Sequence, residues 1–166
     1  MHVRAATLDD VPAWLALSRE VEPLFGPMAD EPEFRASLER GIDGGRAFCI
    51  DAREGAAGAP QCGPLCAPLC APLCGIILIS TRRNAVAWLA VASGCRGQGL
   101  GRALLAHDIA RLDPSREITV QTSAAGVPGG EPARALYRSF GFEERGPADP
   151  TPSGVPTVVM VRPAQP

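Results

Sequence analysis

The sequence predicts a mixed α/β domain in which helices cover both faces of one central sheet. Three observations lead to this prediction: apolar runs of strand length recur along the chain, segments with helical spacing of apolar residues lie between them, and Gly- or Pro-rich stretches separate the two kinds. The resulting element order is β-α-α-β-β-β-α-β-α-β-β. A chain of 166 residues can bury one self-sufficient core, so we expect a single domain over residues 1–166.

The N-terminal part of the chain predicts one short strand followed by two helices. The strand lies at residues 3–8, and Thr7 with Asp10 forms a capping pattern ahead of the first helix. This helix is expected to break at Pro23, Gly26 and Pro27, because an internal proline removes a hydrogen-bond donor. Asp30 is the expected N-cap of the second helix, which is expected to stop near Gly41 and the Gly44-Gly45 pair. The apolar residues with helical spacing are Val11, Trp14, Leu15, Leu17 and Val21 in the first helix and Phe34, Leu38 and Ile42 in the second.

The rest of the chain supplies the main sheet and two further helices. The run at residues 85–91 is apolar at every position, which is typical of a central strand covered on both faces, and it contains Trp88, expected in the core like Trp14. The other strands are expected at residues 47–50, 75–80, 117–122 and 157–161 and around Phe142, and the helices at 102–112 and from Pro132 to Gly141.

The charge pattern excludes two classes of partner. The net charge is −2 and all 16 basic residues are arginines, with no clustered basic face of the kind that binds nucleic acids. No apolar run approaches the roughly 18 residues that a membrane span requires, and the first residues lack the basic flank and apolar stretch of a signal peptide. We therefore expect a cytoplasmic protein with no nucleic-acid or membrane partner.

Four of the six cysteines, Cys62, Cys66, Cys70 and Cys74, lie four residues apart with a proline between each pair. We interpret the segment at about residues 55–75 as a tolerated loop insertion, since proline excludes a helix and surface loops accept added residues at low cost. The alternative, a thiolate metal site, lacks the second pair of ligands typical of zinc sites, so no metal is expected. A disulfide scaffold is disfavoured because a secretory signal is missing.

A glycine-rich loop connects the central strand to the next helix. Gly97, Gly99 and Gly101 allow backbone amides to approach a ligand, and the helix N-terminus favours an anion such as phosphate. The alternative is a tight strand-to-helix connection. A Walker loop is excluded because the chain has no lysine, and the glycine spacing departs from the dinucleotide fingerprint. Cys95, just ahead of this loop, is either a reactive thiol or a passive loop residue.

Two motifs carry a resemblance to a known family. The stretch Arg96-Gly97-Gln98-Gly99-Leu100-Gly101 meets the signature Arg/Gln-x-x-Gly-x-Gly/Ala of the GNAT superfamily of N-acetyltransferases. The stretch Ala133-Arg-Ala-Leu-Tyr-Arg-Ser-Phe-Gly-Phe142 is similar to the second hallmark of that family, Ala-x-x-Leu-Tyr-x-x-x-Gly-Phe. The resemblance covers residues 2–161 and implies a GNAT-like, mostly antiparallel sheet with splayed fourth and fifth strands.

The resemblance implies acetyl-CoA as co-substrate and an amine as acceptor. Tyr137 is implied to be the acid that protonates the leaving thiolate, and the backbone N–H of Val91 to be the donor to the oxyanion. Helical periodicity offers the alternative that Tyr137 is a core residue. The residues implied to bind acetyl-CoA are Leu89, Val91, Arg96, Gly97, Gln98, Gly99, Leu100, Gly101 and Arg102.

The chain departs from the family pattern at two positions. Gly130 stands where many members have Asn, and Ala85 stands nearest to the position of a strand Glu that serves as base. No general base is therefore visible, and water is the alternative proton acceptor. Other titratable residues have simpler interpretations: Asp30, Glu31 and Glu33 as helix-start caps or solvated residues, and His107 as a surface residue without a zinc partner.

The leading interpretation is an acetyl-CoA-dependent N-acetyltransferase that acts by direct attack of a small-molecule or peptide amine. One alternative is a non-catalytic module that binds acyl-CoA, which the missing Asn and Glu suggest. Another is a thiol or metal sensor built on the cysteine repeat. The resemblance also implies that the closing strands can support a homodimer.

Overall fold

The computed structural model describes residues 2–52 and 73–165. Seven strands and four helices follow one another in the predicted order. The strands are β1 (Arg4–Ala5), β2 (Ala47–Asp51), β3 (Leu73–Ser80), β4 (Ala85–Val91), β5 (Ile118–Ser123), β6 (Glu143–Ala148) and β7 (Thr157–Arg162); the helices are α1 (Val11–Phe25), α2 (Pro32–Asp43), α3 (Leu100–Ile109) and α4 (Glu131–Arg138).

The strands form one sheet in the order β1-β2-β3-β4-β5-β7-β6, in which every neighbouring pair is antiparallel except β4 and β5. Helices lie on both faces. A Cβ on Gly41 of α2 would collide with Leu78, and a Cβ on Gly75 would lie 2.9 Å from Leu104 of α3. Gly75 and Leu78 are three residues apart on β3 and therefore face opposite sides of the sheet. The predicted mixed α/β fold is confirmed.

The core lies on both sides of the central strands. Its largest fully buried side chains include Trp14 and Leu17 of α1, Ile77 of β3 and Met160 of β7. The capping pattern at the start of the chain is confirmed, because the Asp10 carboxylate accepts the backbone N–H of Thr7 at 2.7 Å. Within the described ranges, no helix is both long and apolar enough to cross a membrane.

The predicted ends of the first two helices are confirmed in part. Gly26, at φ 92°, ends α1 as predicted, whereas Pro23 lies inside the helix. An exposed proline in the last turn costs only one backbone hydrogen bond. The predicted N-cap Asp30 is wrong, because Asp30 pairs with Arg19 and the N-cap of α2 is Glu31. Gly44 ends α2 as predicted, whereas Gly41 lies within the helix, where its missing side chain admits Leu78.

Strand β4 carries an irregularity that shapes the centre of the sheet. The partners of Leu78 and Ile79 on β4 are Trp88 and Val86, so Ala87 is an extra residue with no partner on β3. On the other edge, β4 pairs with β5 at only two positions, Ala85 with Thr119 and Val86 with Val120. Beyond the bulge the two parallel strands separate, as the family resemblance implied.

Most of the predicted cysteine-rich insertion lies outside the described residues. Its last cysteine, Cys74, belongs to β3, which begins two residues earlier than predicted. The side chain of Cys74 forms a disulfide bond with Cys95, so Cys95 is neither a reactive thiol nor a passive loop residue. Sequence spacing alone gave no sign of this pair, because the two cysteines are 21 positions apart and are separated by most of β3, the following turn and β4.

Candidate active site

A cavity of about 250 Å³ opens where β4 and β5 separate. It brings together residues that are distant in sequence. The lining includes Leu89 of β4, Tyr137 of α4, Phe25 and Met28 near the α1–α2 connection, and Thr151 in the loop between β6 and β7. A gap between two parallel strands leaves backbone groups without strand partners, so the cavity offers hydrogen bonds from the main chain.

The backbone of β4 presents amide groups to this gap. The N–H of Ala92 points the other way and donates to the carbonyl of Cys74 at 2.9 Å. Successive residues of a strand direct their N–H groups to opposite edges, so those of Val91 and Leu89 face the side of β5. Since β5 pairs with β4 only at Ala85 and Val86, none of the described strands covers these two amides. This edge can bind a ligand that carries amide groups.

The glycine loop leads from the end of β4 into the N-terminus of α3. Gly97 and Gly99 have φ values of 73° and 80°, in the region that favours glycine, and Gly99 is the N-cap of α3. No atom lies within 4 Å of where a Cβ would stand on either residue, so the space above the loop is open. A Cβ on Gly101 would lie 3.1 Å from Leu136, so this glycine serves the packing of α3 against α4.

The charged and polar residues of the loop have different surroundings. Arg96 is exposed, and its Nε donates to the carbonyl of Val91 at 3.3 Å. Gln98 is exposed and donates to the carbonyl of Gly94, whereas Leu100 is buried. Arg102 donates to Ser139 at 3.0 Å and lies over the ring of Phe140. Arg96 therefore lies beside the open strand edge, and Arg102 is engaged with the residues that follow α4.

Tyr137 combines both roles that the sequence left open. Its side chain is buried, with 4% exposure, and packs against Phe142. It also lines the cavity between β4 and β5, and among the described residues its hydroxyl has no hydrogen-bond partner. Burial raises the pKa of Tyr137 well above its usual value. The phenol is therefore protonated at neutral pH and available as a hydrogen-bond or proton donor.

The described lining of this cavity contains no aspartate, glutamate or histidine. Asp30 is exposed and paired with Arg19, and neither Glu31 nor Glu33 reaches the lining. A side chain at position 130 would be crowded, because a Cβ there would lie 2.7 Å from the Cβ of Ser123. The absence of the family's usual Asn therefore has a packing reason in this chain.

Aromatic side chains from β4 and α1 line one side of the cavity. The ring centroid of Trp88 lies 4.4 Å from that of Phe25, which also lines the cavity, and 5.7 Å from that of Phe34, which packs on Trp88 from α2. Trp14 is in the core as predicted, but Trp88 is half-buried and lines the cavity. This cluster was not predicted, because Phe25 and Phe34 lie on two different helices whose approach depends on tertiary packing.

His107 differs from expectation, and its neighbour Asp108 is buried as well. His107 is half-buried rather than exposed: its ring packs on Phe48, and its Nδ1 lies 2.7 Å from Oδ1 of Asp108. Asp108 is fully buried, its Oδ2 has no partner, and burial raises its pKa to about 7. Burial, with a smaller contribution from Arg111, lowers the pKa of His107. Neither residue lines the cavity at Tyr137.

One cluster of metal-ligating residue types is present among the described residues. Asp10, Cys49 and Asp51 place donor atoms within 4.8 Å of one another. The guanidinium of Arg4 donates to both carboxylates, at 2.8 Å to Asp10 and 2.5 Å to Asp51. Burial raises the pKa of Cys49 to about 12, so its thiol is protonated. The cluster is an internal ion pair with a cation already in place.

Comparisons with known proteins agree on the fold. The family model described as the acetyltransferase (GNAT) domain matches residues 70–144, which contain the glycine loop and Tyr137. No curated protein matches the chain in sequence. Among solved structures, the chain is similar to the ribosomal-protein-alanine N-acetyltransferase from Brucella melitensis, with 24% identity and a TM-score of 0.69 over 97% of this chain and 98% of that one.

Two other structures give the same result. The ribosomal-protein-S18-alanine N-acetyltransferase from Escherichia coli has 21% identity and a TM-score of 0.66, with 99% of this chain and 94% of that one covered. A chain of the NatC complex bound to Gag peptide and CoA has 15% identity and a TM-score of 0.68, with 99% and 98% covered. The predicted resemblance to the GNAT superfamily is thereby confirmed: the chain has the GNAT fold, and the family model matches its residues 70–144.

Proposed function

We propose that this protein is an acetyl-CoA-dependent N-acetyltransferase that transfers the acetyl group directly to a primary amine. One observation carries the proposal: the open edge of β4 reaches the cavity that holds Tyr137 at Leu89 and continues through Val91 towards the glycine loop, which begins at the end of the same strand. A ligand with amide groups and a phosphate end fits this arrangement of strand edge and helix N-terminus.

The residues around the cavity fit the parts of acetyl-CoA. The free edge of β4 at Leu89 and Val91 would pair with the amides of the pantetheine arm. The loop from Arg96 to Gly101 and the N-terminus of α3 would hold the pyrophosphate, with Arg96 adding positive charge. When bound, acetyl-CoA supplies a thioester whose acetyl carbon accepts the lone pair of the amine while the carbon–sulfur bond breaks.

The chain's own groups then perform two tasks. The N–H of Val91 donates to the oxygen on which negative charge develops, and the hydroxyl of Tyr137 gives its proton to the departing sulfur and regains one from solvent. The high pKa of Tyr137 keeps this proton in place at neutral pH. Since the described lining offers no carboxylate or imidazole, the proton of the acceptor ammonium leaves through water.

The first test is binding of acetyl-CoA, measured by calorimetry so that the six cysteines do not interfere as they would with thiol dyes. Arg96→Glu places a negative charge beside the open strand edge and should abolish most of the binding. Arg116→Glu makes the same change at an exposed residue far from the loop and should leave binding intact. Absence of binding by the folded wild type would overturn the proposal.

The second test is turnover of a panel of amines, followed by mass spectrometry of the acetylated product. Because the hydroxyl of Tyr137 has no partner among the described residues, Tyr137→Phe preserves the packing of the ring and removes only the hydroxyl group with its acidic proton. We expect kcat to fall about a hundredfold at neutral pH. An unchanged kcat would remove Tyr137 as the acid.

The missing base gives the alternative function its support. A non-catalytic module that binds acyl-CoA needs the strand edge and the glycine loop but no proton acceptor. Acetyl-CoA binding that is lost in Arg96→Glu, together with no acetylated product across the whole amine panel, would favour this alternative over the transferase.

A further inference from the structure

A second cavity of about 450 Å³ lies on the face of the sheet that α2 covers. Among the described residues, its lining contains two cationic side chains and no acidic one. Arg46, just ahead of β2, and Arg83, in the turn between β3 and β4, provide the positive charge. The uncharged polar residues of the lining are Ser37, Ser80, Thr119 and Gln121.

This cavity adjoins the one at Tyr137. Ala87 and Gln121 line both, together with Val86 and Val120. Ala87 is the extra residue of the β4 bulge and is exposed, so a small side chain stands at the border of the two spaces. We call the combined space the acceptor groove. It runs from Tyr137, past Ala87, to the two arginines.

The two guanidinium groups have most of their hydrogen-bonding capacity free. Arg46 donates to the carbonyl of Arg40 at 2.9 Å and forms no ion pair within the described part of the chain. The side chain of Arg83 has neither a hydrogen bond nor an ion pair with any described residue. A guanidinium has five N–H donors that match a carboxylate in pairs, so this end of the groove is suited to an anion.

The turn that carries Arg83 is held firmly. Asn84, at φ 52°, is buried, and its amide nitrogen donates to the carbonyls of Asp113 and Glu117 at 2.9 and 3.0 Å. Its Oδ1 accepts the N–H of Asp113 at 2.9 Å. The position of Arg83 is therefore fixed by tertiary contacts at the adjacent residue, as expected for a residue that selects a ligand.

The geometry sets the length of a ligand that reaches both ends. Ala85, beside the arginines, and Leu89, beside Tyr137, are four residues apart on β4, which corresponds to about 13 Å. An extended peptide advances about 3.3–3.6 Å per residue, so this distance spans four residues. Hydroxyl and amide side chains along the groove can bind a peptide backbone, whereas the described groove offers no charged group that would attract a basic peptide.

We propose that the acceptor is the α-amine of a peptide that carries a carboxylate at its third or fourth residue, which Arg46 and Arg83 bind while the amine lies at Tyr137. This inference rests on the proposed function and adds the substrate class to it. Arg46 and Arg83 are specificity residues here: they contact the acceptor far from the reacting atoms and take no part in the transfer.

The experiment compares hexapeptide amides that differ only at position four. Ala-Ala-Ala-Asp-Ala-Ala is measured against the same peptide with Asn or Lys, and product is quantified by mass spectrometry. We expect the Asp peptide to exceed the Asn peptide about tenfold in kcat/KM, through KM, because a hydrogen-bonded ion pair is gained. In the Arg46→Gln/Arg83→Gln double variant the two peptides should become equal, and turnover of the Asn peptide should not change.

Arg82→Gln is the matched control, since Arg82 lies in the same exposed turn but does not line the groove. Equal kcat/KM for the Asp and Asn peptides in the wild type would overturn the inference while the transferase function stands. The same would follow if Arg82→Gln lost as much of the preference for the Asp peptide as Arg83→Gln does. If acetyl-CoA binds but no peptide is acetylated, calorimetric binding of the Asp peptide in the presence of CoA decides. Binding that the double variant loses supports the anion site, and absence of binding overturns it.

Discussion

Cys74 and Cys95 are joined by a disulfide bond that connects the start of β3 to the turn just ahead of the glycine loop. Both side chains are buried. The next residue, Arg96, lies beside the open edge of β4, so the bond fixes one end of the loop that is proposed to hold pyrophosphate. A backbone hydrogen bond joins the same two segments, because the N–H of Ala92 donates to the carbonyl of Cys74.

Breaking this bond should destabilise the protein. Cys95→Ser should lower the free energy of unfolding by about 3 kcal/mol, because a cross-link over some twenty residues restricts the unfolded chain. Urea denaturation with and without reductant measures the effect: the wild type should lose about the same stability when reduced, and Cys95→Ser should not respond. A wild type whose midpoint is unaffected by reductant would contradict the prediction.

Asn84 should be among the most sensitive positions outside the active site. Asn84→Ala removes three buried hydrogen bonds and also places alanine at a positive φ, so we expect a loss of about 3 kcal/mol in the free energy of unfolding. Asn84→Gly removes the same bonds but accepts the backbone conformation, so it should lose about 1 kcal/mol less. Equal losses for the two variants in urea denaturation would show that the backbone conformation contributes nothing.

The buried carboxyl of Asp108 should make stability depend on pH. Its pKa of about 7 in the folded state lies above the usual value, so between about pH 4 and 7 the folded state binds more protons than the unfolded state. The contribution of Asp108 to the free energy of unfolding is therefore most favourable at low pH and is lost as pH rises through 7. His107, whose pKa is lowered, contributes a change of opposite sign as pH falls below its usual value.

The test for Asp108 is the stability difference between wild type and Asp108→Asn at pH 5 and pH 8. Asn cannot become charged, so from pH 5 to pH 8 the free energy of unfolding of the variant should rise by about 3 kcal/mol relative to that of the wild type. Asp113→Asn is the control: the pKa of Asp113 is lowered by its hydrogen bonds with Ser115, so its effect lies below pH 5. If the difference in unfolding free energy between the wild type and Asp108→Asn is the same at pH 5 and pH 8, Asp108 is not a buried carboxyl that titrates in this range.

The parts of the fold that could be predicted from sequence are those with local causes. Strand β4 is apolar at every position and is the fourth of seven strands in the sheet order, and the Thr7–Asp10 cap forms as its residue types predict. The glycine loop was found because only glycine accepts the positive φ at Gly97 and Gly99. Tyr137 was identified through its motif, since periodicity alone could not separate a core residue from one that lines a cavity.

The missed features depend on contacts between distant segments. Trp88 reads as core in sequence, and only the approach of Phe25 and Phe34 turns it into a cavity wall. His107 was expected at the surface, and its partial burial, like the full burial of Asp108, follows from how α3 lies on β2 and β3. Arg46 and Arg83 are 37 positions apart and meet because β2 and the β3–β4 turn lie at the same end of the sheet.

The glycine loop itself permits a matched pair of substitutions. Gly99 and Gly45 both have positive φ, at 80° and 63°, and both have open space where a Cβ would stand. Alanine at either position should therefore cost a similar amount, about 1–2 kcal/mol of unfolding free energy. Only Gly99 lies at the N-terminus of α3. Only Gly99→Ala should therefore also weaken the binding of acetyl-CoA, by about tenfold, because the added methyl group and the altered backbone obstruct the approach of phosphate to the loop amides. Calorimetry on the two variants, with urea denaturation as the measure of strain, separates the two effects. Equal affinity for acetyl-CoA in Gly99→Ala and Gly45→Ala would mean that the loop is only a turn between β4 and α3.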